Sequence, residues 1–68
     1  MNYTLTEKDG GIYELIIKTD GQWGTICFAY DKNNSEIVDA ITAKGIDTFV
    51  NLLCQDPNTA YTLFVNGI

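Results

Sequence analysis

The sequence predicts a two-layer α+β sandwich: a mainly antiparallel four- to five-stranded sheet with one helix on one face. The expected element order is β-β-β-β-α-β, within one domain spanning residues 1–68. Three observations predict it. Alternating apolar runs are separated by Asp-Gly turns. A single stripe of apolar residues has helical spacing. A last alternating run follows the one proline.

Asp9-Gly10-Gly11 divides the first two runs, and Asp20-Gly21 divides the second from the third. Asp-Gly between such runs is a strong short-range hairpin signal, because glycine reaches positive φ without a Cβ clash. Residues about 2–8, 12–19 and 23–31 therefore read as three antiparallel strands. Period-two alternation sets their faces. Tyr3 and Leu5 share one face, with Tyr13, Leu15 and Ile17, and with Ile26, Phe28 and Tyr30. Thr4, Thr6, Glu14, Ile16, Lys18, Trp23, Thr25, Cys27 and Ala29 take the other.

Lys32-Asn33-Asn34-Ser35 is a polar loop. Glu36–Ala43 reads as a fourth strand, with a rival: a helix opened by Ser35 and running to Gln55. That rival places Gly45 mid-helix, at about 1 kcal/mol relative to alanine, so the strand is preferred. Ile46, Phe49, Val50 and Leu53 fall at i, i+3, i+4 and i+7, one helical face. Thr42 or Asp47 is the expected cap, and Asp56-Pro57 the stop. Ala60–Val65 alternates again and reads as the last strand, with Tyr61, Leu63 and Val65 inward and Thr62 and Phe64 outward.

One helix covers one sheet face. The expected core is its stripe against Tyr3, Leu5, Tyr13, Leu15, Ile17, Ile26, Phe28, Leu63 and Val65. The other face meets water or a partner, and carries Ile16, Trp23, Cys27 and Phe64 among threonines and charges. Apolar surface with a polar rim is the usual mark of an interaction site, and tryptophan a usual anchor.

Composition limits the chemistry. The chain has 68 residues, no histidine, four Lys and Arg together, and nine Asp and Glu, for a net charge of −5. A Ser-His-Asp or Cys-His set cannot form within it. Positive charge is too sparse to neutralise a phosphate backbone, so no direct nucleic-acid binding is expected. Cys27 and Cys54 supply two of the four ligands of a structural zinc site, and no cofactor or metal is expected. They read as small hydrophobes, although a bridge between them is allowed by count. Asp31-Lys32-Asn33-Asn34-Ser35 begins like a calcium loop, but Glu36 replaces the glycine and Thr42 the bidentate glutamate. The glycine pairs precede no helix and carry no phosphate-loop lysine. No pair of carboxylates is marked out for acid–base work. The N-terminus lacks a signal-peptide pattern, and no apolar run approaches a membrane span, so a cytoplasmic location is expected. The two Asn-X-Thr/Ser matches, at Asn2 and Asn33, are then chance.

Residues 1–40 hold seven acids against three lysines, and residues 41–68 two against one. The negative field is thus expected over the hairpins, steering the chain to a basic partner. The short length, acidity and missing catalytic set look like the small inhibitors that phages and other mobile elements make, anti-CRISPR proteins among them. That resemblance is one of size and composition. It implies a non-enzymatic protein that blocks a nucleic-acid-handling enzyme. The expected contact surface is Glu14, Ile16, Trp23 and Phe64, with Glu7, Asp9, Asp20, Asp31 and Glu36 around them. The alternative is a self-assembling subunit, a homodimer through the open face or an edge strand.

Overall fold

The computed structural model describes residues 2–67. Among them, three strands come first: β1 (Asn2–Lys8), β2 (Ile12–Lys18) and β3 (Thr25–Asp31). They form one antiparallel meander in the order β1-β2-β3. Three helices follow: α1 (Ser35–Lys44), α2 (Ile46–Gln55) and α3 (Ala60–Val65). The class is α+β, but the sheet has three strands rather than four or five, and the helical layer three helices rather than one.

The first two strands form as read. Pairing runs from Asn2↔Lys18 to Lys8↔Ile12, with a single 3₁₀ turn, Asp9–Gly11, at the hairpin. The third begins two residues late. Thr19 Oγ1 donates to the Gly24 carbonyl at 2.7 Å, and Gly24 lies at φ +64°. That left-handed residue closes the loop before Thr25, so Trp23 belongs to a turn and not to a strand face.

Glu36–Ala43 is helical, which corrects the expected fourth strand. Asn34, one residue before Ser35, is the cap: its Oδ1 accepts from the Ile37 amide at 3.4 Å. Side-chain capping satisfies one of the amides a helix start leaves open. Neither Thr42 nor Asp47 caps α2. Thr42 bonds back to the Val38 carbonyl at 3.0 Å, and Gly45 stands between the two helices. Its amide closes α1 on the Ile41 carbonyl, and its backbone at φ 91°, ψ 146° is a near-glycine-only conformation that redirects the chain. The rival long helix is therefore right in extent and wrong in continuity.

Ala60–Val65 is also a helix, not a strand. The Asp56 carbonyl accepts from the amides of Thr59 and Ala60 at 3.2 and 3.1 Å, winding the chain before it can extend. Ala60 and Phe64 are then buried, Tyr61 and Val65 half-buried, and Thr62 and Leu63 exposed. These four inward positions are two i, i+4 pairs on one helical face.

The core lies between the sheet and the helices. Leu15, Ile17, Ile37, Phe49, Ala60 and Phe64 are fully buried. Phe49 meets Phe28 edge-on at 4.9 Å between centroids and stacks on Phe64 at 4.7 Å. Each such ring contributes roughly 1.5–3 kcal/mol through burial alone. Phe64 was expected on the open face; as a helical residue it fills the centre instead. Lys44 stands 5.4 Å from its centroid and donates to its carbonyl. Leu5 and Leu63, expected in the core, are 41% and 42% exposed. Leu63 is on the outer side of α3, and Leu5 is on the edge strand β1.

Candidate interaction surface

The register places the uncovered side of the sheet in four cross-strand rows. The two central rows are Thr4–Ile16–Cys27 and Thr6–Glu14–Ala29. Flanking them are Asn2–Lys18–Thr25 and Lys8–Ile12–Asp31. All the residues of β3 on this side are exposed, as are those of β1, while Ile12, Glu14 and Ile16 are half-buried between them. The centre is thus small and partly apolar, ringed by threonines and by two charges of each sign. Lys8 and Glu14 pair at 3.7 Å. A solvent-accessible pair of this kind adds little to the stability of the fold.

Of the expected contact residues, Glu14, Ile16 and Asp31 share this side. Glu7 and Asp9 flank its hairpin end. Glu7 has the opposite parity, opposite Tyr13, and is exposed on the edge strand. Asp31 is partly committed to its own loop, since its Oδ1 accepts from the Asn33 amide at 2.8 Å. Glu36 opens α1 and belongs to the helical layer. Tyr61 donates to it at 2.7 Å, and Asn34 Nδ2 donates to the Tyr61 oxygen at 3.3 Å. This network ties α3 to the start of α1, and the Glu36 bond holds the Tyr61 hydroxyl above its usual pKa. Tyr3 is treated likewise by Asp47, to which it donates at 2.5 Å. In both cases the phenol must keep its proton to donate to a carboxylate.

Trp23 and Asp20 stand at the far end of the sheet. A seven-residue strand rises about 20 Å, so they do not meet the acids of the other end. Trp23, 37% exposed, borders a groove of about 440 Å³ with Lys18, Asp20, Gln22, Cys54 and Gln55. Cys27 faces out from the sheet while Cys54 is on α2, on the covered side; no bridge joins them. The expected cluster of Trp23 with all the acids is therefore divided between the two ends of the sheet, and Phe64 and Glu36, both on helices, belong to neither.

The charge distribution also moves. Glu36 and Asp39 are on α1, so with Asp47, Asp56 and Lys44 the helical half carries −3. Residues 1–34 hold Glu7, Asp9, Glu14, Asp20 and Asp31 against three lysines, or −2. The field surrounds the molecule instead of concentrating on the hairpins.

One feature escaped the sequence reading. A groove of about 340 Å³ runs between α1 and the sheet, lined by Leu5, Tyr13, Tyr30, Val38, Ile41 and Thr42, with Lys32 as its one charged residue. The signal was the helical spacing of Val38, Ile41 and Thr42, which a strand reading of this segment hides. Among the described residues no helix is long and apolar enough to cross a membrane. The chain matches no protein-family model, no curated protein and no solved structure.

Proposed function

We propose that this chain is a non-enzymatic binding protein that docks on a larger, positively charged protein through the bare side of its sheet. One observation carries the reading. All three helices pack on the same side, which leaves Ile16 and Cys27 in an uncovered centre bordered by Thr4, Thr6 and Glu14. Apolar centre and polar rim are how protein interfaces are built. The net charge of −5 acts at longer range, drawing in a basic partner and repelling acidic ones. A nucleic-acid-handling enzyme, with its basic channel, is the partner class that size and acidity favour, and the outcome of docking there is inhibition. Glu14 and Ile16 are the central contacts, with Asp31, Glu7 and Asp9 toward the hairpin end. Trp23 and Asp20 are outside this face.

Immobilised protein tests the proposal by the partner it retains from cell extract. Ile16→Arg puts a bulky positive charge in the centre of the face without entering the core. It is expected to reduce retention of that partner at least tenfold. Leu63→Arg, on the outer side of α3, is expected to leave retention unchanged. Equal retention by wild type and Ile16→Arg, both folded by circular dichroism, contradicts the proposal.

A further inference from the structure

We infer that the outer edge of β1 is a self-association surface, pairing antiparallel with β1 of a second copy about a two-fold axis through Leu5. Among the described residues β1 pairs only with β2, so seven residues of its other edge are open. Soluble proteins usually block such an edge with proline, a bulge or a central charge. Here β1 has no proline, every positive φ among the described residues belongs to a glycine outside it, and its charges are confined to Glu7 and Lys8 at one end.

A second observation points to the same strand. Leu5, at its midpoint, is 41% exposed on the helical side and borders the groove floored by Tyr13 and walled by Val38 and Ile41. Leu5 of a second copy, brought beside it, extends the apolar wall across that groove. The other open edge, β3, offers no comparably exposed apolar side chain on the helical side, since Ile26 and Tyr30 are buried and Phe28 is half-buried against the core.

The register follows from charge. Centring on Leu5 sets Thr4 opposite Thr6, Tyr3 opposite Glu7 and Asn2 opposite Lys8 of the other copy. Every residue of the strand is used, and no like charges stand opposed. Centring on Thr6 instead puts Leu5 against Glu7 and shortens the pairing. Parallel alignment brings the two Glu7 and the two Lys8 side by side. Cross-strand threonine pairs stabilise, and like charges directly opposite destabilise. The result is a six-stranded sheet with an isologous centre. It joins the two bare faces into one, since odd and even positions keep their sides. Both copies carry −5, so their repulsion is screened by salt and association tightens as salt rises. This inference does not depend on the docking proposal.

Sedimentation equilibrium tests it. Wild type is expected to show a concentration-dependent mass of up to twice 7.6 kDa, reached at lower concentration in higher salt. Leu5→Lys places like charges at the axis and is expected to weaken the dimer at least tenfold. Leu5→Thr keeps strand propensity, and is expected to weaken it less. Leu63→Lys, equally exposed elsewhere, is expected to leave it intact, as is Ile16→Arg. A wild type that stays monomeric overturns the inference. So does a dimer that survives Leu5→Lys, or one lost in Ile16→Arg, which would place the contact on the bare face.

Discussion

Phe64→Ala is expected to cost about 3–5 kcal/mol, enough to unfold much of the population. Phe64 is fully buried and stacks on Phe49, which in turn meets Phe28 on the covered side of the sheet. Truncation leaves a cavity at the joint of α2 and α3 that the sheet cannot fill. A chain of this length has a total stability of roughly 3–10 kcal/mol, so one ring is a large share of it. Urea titration followed by far-ultraviolet circular dichroism measures the effect. A loss under about 1 kcal/mol is what an exposed phenylalanine on a strand would show, and would place Phe64 outside the core.

The second large effect has a sign that separates two structures. Gly45→Ala is expected to destabilise by about 1–3 kcal/mol, because φ 91° with ψ 146° is a region that side-chain-bearing residues avoid. The cost is purely conformational, since an added Cβ meets nothing within 4 Å. Were residues 36–55 one continuous helix, the same substitution would stabilise by about 1 kcal/mol. The urea midpoint therefore moves down if the chain breaks at Gly45 and up if it does not.

The three strands that form were legible because local signals agree there, whereas the expected four- to five-stranded sheet was not, since residues 36–43 and 60–65 wind into helices. Asp-Gly turns, alternation and β-branched residues all specify the same three strands, and the inward faces of β2 and β3 follow from parity. The helix α2 was legible from Ile46, Phe49, Val50 and Leu53. Residues 60–65 were not, because a six-residue run with apolar residues at 60, 61, 63, 64 and 65 satisfies both periods. Its winding is decided by the Asp56 turn, and its burial by Phe49, which is distant in sequence. Residues 36–43 turned on the cost assigned to Gly45. As a mid-helix glycine it weakens a helix; as a joint between two helices it is the residue the backbone needs.

The helical winding of residues 36–43 and 60–65 and the late start of β3 together rearrange the site. Glu14 and Ile16 keep their place, since their parity depends only on the β1–β2–β3 register. Phe64 leaves the face because its element changes. Trp23 leaves it because Gly24 interrupts the strand on which its parity rested. Glu36 moves to the helical layer, where Tyr61 engages it, and with Asp39 it carries the larger share of charge away from the hairpins. What remains is a smaller and less acidic face than composition suggests, so contact and attraction are separate roles. Ile16 and its neighbours provide contact, and the whole molecule provides the field.

Cys27 tests that assignment from within the native chain. It is exposed in the middle of the bare face, in the same row as Ile16, while Cys54 is on α2 behind the sheet. The measurement is the rate of Cys27 alkylation by iodoacetamide, followed peptide by peptide, in the free protein and with the retained partner in saturating amount. Docking through the bare face predicts that Cys27 labelling slows at least tenfold on binding. Cys27 labelling at the free rate in the saturated complex contradicts it.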